Sequence, residues 1–166
     1  EEIILEVAIS KLCAMFGIAP EIETSIPYDL IVYEDAAQFH LEKCSTLCIR
    51  GDQFYNVVRE DSDKFLMDLV HCLRVLHSLH IVHRDIKPSN ILLRPQLGQY
   101  VLCDFGVARY VYEDIGETSE TSLCGTPRFM GPEMLELYNK KNGNIRVDLY
   151  YNDVAACEII LLIFSR

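Results

Sequence analysis

The chain has 166 residues, with 15 lysines and arginines against 25 aspartates and glutamates, a formal charge of −10. At about 100–200 residues per domain this is one domain or part of one. A composition of 50% hydrophobic and 24% charged residues excludes a disordered tail. The acidic balance argues against a dedicated nucleic-acid binder, whose footprint is basic.

Glu1 and Glu2 stand where a secretory signal would need a basic region and an apolar core. The apolar run Ile159 to Phe164 falls short of the roughly 20 residues that span a bilayer, so no membrane segment is expected. Seven cysteines, at 13, 44, 48, 72, 103, 124 and 157, have no disulfide-framework spacing. They read as reduced thiols of an intracellular, cytoplasmic protein. Cys44 and Cys48 lack the second close pair that a zinc site normally uses.

Apolar residues at helical spacing predict a helix over 3–15, ended by Gly17 and Pro20. Two β-type runs follow, at 21–26 and 29–33, with Pro27 between them. Residues 35–60 are mixed and polar, with a turn at Gly51-Asp52. Ser62 is expected to cap a long helix reaching Leu79, with Leu66, Leu69, Val70, Leu73 and Leu76 along one face. His71 and His77 fall on that helix and His80 in the turn after it, where a structural role is expected.

Ile91 to Arg94 and Tyr100 to Cys103 are short β-runs around a loop with Gly98, which predicts a hairpin. A hairpin brings the residues flanking its two strands together, here Asn90 and Asp104. An amide oxygen and a carboxylate at one loop edge are hard ligands suited to Mg²⁺ that also holds phosphate. Asp85, five residues before Asn90, adds a third oxygen group, and Lys87 can bring a positive charge to the same space. One base, one cation and two metal ligands are the parts phosphoryl transfer needs.

His83-Arg84-Asp85-Ile86-Lys87-Pro88-Ser89-Asn90 resembles the catalytic loop of eukaryotic protein kinases. Asp104-Phe105-Gly106 resembles their magnesium motif, and Gly131-Pro132-Glu133 the Ala-Pro-Glu that closes the activation segment. The resemblance implies an α+β, bilobal protein-kinase-like fold over 1–166, incomplete at both ends. Residues 1–34 would be a small-lobe remnant of one helix and two strands, ending at gatekeeper Tyr33. Residues 35–166 would be the hinge and the mainly helical large lobe through its central helix. The Gly-rich loop, the ATP-anchoring lysine and the last helices are not in this sequence, so it is expected to be a fragment, inactive alone and prone to aggregate.

By this resemblance the cofactors are ATP and Mg²⁺ and the partner is a protein substrate. Asp85 would orient the substrate hydroxyl and accept its proton, and Lys87 would neutralise γ-phosphate charge. Asn90 and Asp104 would hold magnesium. Leu92 would pack beneath adenine, with hinge residues Glu34 and Ala36 offering backbone groups. His83 and Phe105 would stack in an internal column. Lys87-Pro88 and Gly125 to Phe129 resemble the serine/threonine-specific branch.

Between Asp104 and Glu133 lie six acids and two arginines. Ser122 aligns with the regulated hydroxyl of the branch that includes the cyclic-nucleotide-dependent enzymes, with Thr121 as rival. Arg84 and Arg109 would receive its phosphate, and Thr126 completes this regulatory set. Tyr110 and Tyr112 read as packing residues.

Three departures stand out. Asp148-Leu149-Tyr150-Tyr151-Asn152-Asp153 puts polar groups on a helix expected to be buried, with Asp148 as the residue steadying the catalytic loop. Gly131 replaces alanine. Glu6 is the best match for the small-lobe glutamate, but Ser10 then occupies a normally apolar position. The alternative reading is a non-catalytic pseudokinase or binding module, separable by an Asp85→Asn comparison.

Overall fold

The computed structural model describes residues 2–21, 49–50, 61–94, 97–111, 123–140 and 147–164. Outside these fall the β-type runs expected at 21–26 (all but Glu21, which is in no strand) and 29–33, with Tyr33, and also Glu34, Ala36, Cys44, Cys48, the Gly51-Asp52 turn, Tyr112, Thr121 and Ser122. The described part is a mixed α+β structure, as expected for part of a kinase-like fold.

Helix α1 spans Glu2–Met15. It stops where Gly17 adopts φ +73°, a left-handed conformation that costs glycine nothing. Helix α2 spans Ser62–Ser78, and its N-cap is Asp61, not Ser62: the Asp61 carboxylate accepts the Lys64 N–H at 3.2 Å. A carboxylate at the positive end of the helix dipole suits that position. The buried stripe is Phe65, Leu69, Cys72, Leu73 and Leu76. Leu66 and Val70, expected on it, are exposed. The buried face is turned toward Phe65 and Cys72, which meet the Tyr100 ring and the Ile18 and Tyr100 carbonyls.

The predicted hairpin forms as β3 (Ile91–Arg94) and β4 (Gln99–Leu102), antiparallel from Ile91 opposite Leu102 to Arg94 opposite Gln99. Strand β1, Ile49–Arg50, adds to its outer edge. A second two-stranded ladder joins β2 (Ile81–Val82) to β5 (Arg109–Tyr110), with Val82 opposite Arg109. Strands of two residues show no alternation, so β1, β2 and β5 leave no trace in the sequence pattern. Tyr110, expected to pack, is paired through its backbone while its side chain is exposed.

Helix α3 is Pro132–Lys140, with Pro132 at the first helical position, where its missing N–H has no intrahelical acceptor. Helix α4 is Leu149–Phe164. Asp148 precedes it as its cap, the carboxylate accepting the Tyr151 N–H at 3.0 Å. The sequence expectation of a helix buried all round is not met. Asn152, Asp153, Ala155, Ala156, Cys157 and Ile160 are buried, whereas Leu162 is 62% exposed. None of the helices among the described residues is long and apolar enough to cross a membrane.

The main core joins α1, α2, the hairpin and α4 through Ile9, Cys13, Phe65, Leu76, Ile91, Leu102, Phe105 and Ile160. Arg94 ties the exit of α1 to the hairpin, donating from Nη2 to the Ala19 carbonyl and from Nη1 to Gly17 O at 3.5 Å. A smaller cluster of Val82, Val111, Met130, Met134, Val147 and Leu149 lies where β2, α3 and the start of α4 meet.

Burial pushes the thiols of Cys13 and Cys72 up from 9.0 to about 12. Because the folded values are the higher ones, the unfolded chain loses these protons first as pH rises above 9. The stability present below pH 9 is then lost progressively toward pH 12. The expected result is a melting temperature that falls through this interval in reducing buffer, with a smaller fall when Cys72 is replaced by alanine.

Candidate active site

The segment His83 to Asn90 leaves β2 and reaches the first strand of the hairpin by a single 3-10 turn, Pro88–Asn90. Its backbone is held from below by one buried carboxylate. Asp153 Oδ2 accepts the His83 N–H at 2.8 Å and Oδ1 the Arg84 N–H at 2.9 Å. His77 Nε2, from α2, meets the same Oδ2 at 3.2 Å. The residue that steadies this loop is therefore Asp153. Asp148, expected in that role, is exposed at the helix start and satisfies the helix itself.

His83 is buried and uses both ring nitrogens: Nε2 meets the Cys103 carbonyl at 3.0 Å, and Nδ1 accepts the Asp85 N–H at 3.3 Å. A neutral imidazole protonated at Nε2 satisfies both. Its ring lies 5.0 Å from that of Phe105, so the expected contact between these side chains is present. Arg84 adopts φ +68°, a conformation costly for a residue with a Cβ. Its two ends explain why the strain persists, with the N–H on Asp153 and Nε on the Val107 carbonyl at 2.6 Å.

Asp85 faces three donors. Lys87 Nζ reaches Oδ2 at 2.6 Å, Asn90 Nδ2 reaches it at 3.3 Å, and the Thr126 hydroxyl donates to Oδ1 at 2.7 Å. Lys87 Nζ also donates to Thr126 Oγ1 at 3.2 Å, closing a ring of three side chains. The sequence set Thr126 among regulatory residues. The structure places it against Asp85, a contact across 41 residues of chain that has no local signature. Gly125 makes the approach possible: at φ +99° it lies so close that a Cβ there would stand 2.5 Å from Arg84 O.

The hairpin closes with Cys103 N–H on Asn90 O at 2.9 Å, which brings Asn90 and Asp104 to one edge. Asn90 is buried, and its Nδ2 is turned to the Asp85 carbonyl at 2.9 Å, which leaves the amide oxygen as the end suited to a cation. Asp104 is half-buried in a left-handed backbone, φ +63°, with Oδ1 accepting the Gly106 N–H at 3.4 Å. An amide oxygen and a carboxylate fit Mg²⁺ in donor type. Leu92, fully buried, packs with Val101 and Cys103 apart from the main core. Glu6 of α1 is buried and reaches this edge, its carboxyl lying 3.6 Å from where a Gly106 Cβ would sit.

Arg84 and Arg109 are neighbours. Burial pushes Arg84 below the usual arginine range and the Arg109 charge adds to this, while Cys124 and Asp153 pull the other way. Arg84 Nη1 is buried with no hydrogen-bond partner among the described residues. Burial likewise raises the Cys124 thiol, against the pull of the two arginines.

Residues 25–162 match the protein kinase domain family. The chain belongs to this family. It is 42% identical over 91 residues to serine/threonine-protein kinase Sgk1 of Rattus norvegicus and to that of Mus musculus, and 41% identical over 91 residues to that of Danio rerio. Each alignment covers 51% of this chain and 20% of the relative, so the chain spans about a fifth of the length of the curated relatives it matches. Protein kinases in general use ATP and Mg²⁺, and a kinase domain carries the expected fold class.

Proposed function

We propose that the full-length protein is a serine/threonine protein kinase, transferring the γ-phosphoryl group of ATP to serine and threonine hydroxyls of protein substrates inside the cell. The observation that carries this reading is the Asp85 carboxylate, fixed by Lys87, Asn90 and Thr126 at the edge where Asp104 also lies. An acceptor held on several sides is pre-oriented, and phosphoryl transfer asks little of a protein beyond orientation and charge stabilisation. The substrate oxygen forms a bond to the γ-phosphorus, the bond to the β–γ bridging oxygen breaks, ADP leaves, and the hydroxyl proton passes to Asp85. Lys87 supplies positive charge beside the transferred group. Asn90 and Asp104 are the residues that would hold Mg²⁺, which when bound neutralises phosphate charge. Leu92 is assigned to the adenine side, with Glu34 and Ala36 as backbone contacts by sequence position. The five described cysteines are free thiols, which supports an intracellular setting.

The test is transfer from γ-labelled ATP and Mg²⁺ to a serine/threonine peptide library by the full-length protein. Phosphoserine and phosphothreonine are expected. Transfer confined to tyrosine would overturn the substrate class, and a folded protein with no transfer would favour a binding module.

Ser122 is proposed as the regulatory phosphorylation site. Arg84 and Arg109 repel each other at the base of the activation segment, and a phosphate would bring about −1.5 to −2 charge to them. Ser122→Ala is expected to lower activity by about tenfold or more, the scale of one charge-assisted hydrogen bond. It should also remove the phosphate from the segment's mass spectrum. Unchanged activity and phosphorylation would transfer the role to Thr121.

A further inference from the structure

The run Tyr150 to Asp153 puts several polar side chains into the first turns of a largely buried helix, and the catalytic loop accounts only for Asp153. Asn152 is 4% exposed, and its Oδ1 accepts the Gly131 N–H at 2.9 Å in a buried bond. An amide is costly to bury without a partner, so its place in a core position depends on that bond. Gly131 lies directly on this turn: a Cβ there would come within 3.2 Å of Ala155 Cβ and 3.5 Å of Asn152 Oδ1. That contact explains a glycine in place of the alanine of the family's closing motif.

The stretch 125–131 is therefore clamped at both ends. Gly125 lies against the Arg84 carbonyl and Thr126 donates to Asp85. At the far end Gly131 is held by Asn152. The catalytic loop hangs from the very next residue, Asp153. Two consecutive side chains of α4 thus set the spacing between the loop that carries Asp85 and the stretch that borders it.

We infer that Asn152 is a positioning residue, which fixes the stretch 125–131 in register with the catalytic loop so that a protein hydroxyl is presented to Asp85. This rests on the kinase reading of the site. Asn152→Leu keeps the bulk and removes the acceptor. In the full-length protein it should raise KM for the peptide substrate by about tenfold and leave KM for ATP unchanged, because among the described residues Gly131 bonds to Asn152 and not to Leu92 or Asp104. Amide hydrogen exchange at Gly131 should quicken by about tenfold, the scale of one buried N–H left unpaired. Gly131→Ala approaches the contact from the other side and should reproduce both changes, and adding Ala155→Gly should reverse them by removing the Cβ it meets. Unchanged exchange at Gly131, or peptide and ATP KM values rising together, would overturn the inference. Quickened exchange in a protein whose unsubstituted form transfers no phosphate would uphold the Asn152 clamp and overturn the kinase reading instead.

Discussion

Asp85→Asn in the full-length protein is expected to lower kcat by about 10²–10⁴-fold, the contribution of a positioned general base, while ATP binding and folding persist. All three partners of this carboxylate are donors: Lys87 Nζ, Asn90 Nδ2 and the Thr126 hydroxyl. An amide offers one oxygen and one NH₂ in their place. Oriented with the oxygen toward Lys87 and Asn90, it turns its NH₂ to Thr126, whose hydroxyl can rotate to accept. The ring of side chains survives in altered polarity, and what is lost is the negative charge and the proton acceptor. Melting temperature and nucleotide affinity should therefore stay near those of the unsubstituted protein while the rate of phosphate incorporation falls by that factor. Undiminished kcat in the Asn variant would remove Asp85 from the chemistry.

Asp153→Leu should cost roughly 3–5 kcal/mol of folding stability, whereas Asp148→Ala should cost about 1 kcal/mol. The Asp153 side chain is fully buried, and its two oxygens accept the N–H groups of His83 and Arg84 together with His77 Nε2. Leucine fills the space but strands two backbone donors away from water, each worth about 1–3 kcal/mol. That loss is a large share of the roughly 5–15 kcal/mol that holds a domain folded, so the Leu variant should be unfolded or close to it at 37 °C. Asp148 caps the same helix from an exposed position and accepts a single N–H, a task water can share. Denaturant titration of the two variants separates the roles, and equal losses would contradict the assignment of the loop anchor to Asp153.

This pair also marks how far the sequence could be read. The resemblance of the motifs around Asp85 and Asp104 to a known family was enough to anticipate the kinase-like class, and the β-runs around Gly98 anticipated the hairpin and the meeting of Asn90 with Asp104. Each is a local matter: a hairpin of known strands has one way to bring its flanks together, and the β-ladder realises it. Helix α1 and helix α2 were legible for the same reason, as periodic runs with clear ends.

What lay beyond the sequence depended on distant partners. Asp148 and Asp153 are both acids near the start of α4, but five residues place them about 140° apart around the helix axis. Only the docking of α4 under the catalytic loop decides which of them points inward. The oddly polar run Tyr150 to Asp153 becomes intelligible once the Asn152 and Asp153 oxygens are seen to accept the N–H groups of Gly131, His83 and Arg84. Thr126 reaches Asp85 across 41 residues of chain, a contact with no local signature. On α2, the choice of Phe65 and Cys72 over Leu66 and Val70 was likewise set by what the hairpin and α4 present to it. The sequence by itself determined which chemical groups exist and which short segments form. The tertiary structure decided which of two similar side chains is buried, because burial selects the one whose partners can satisfy it.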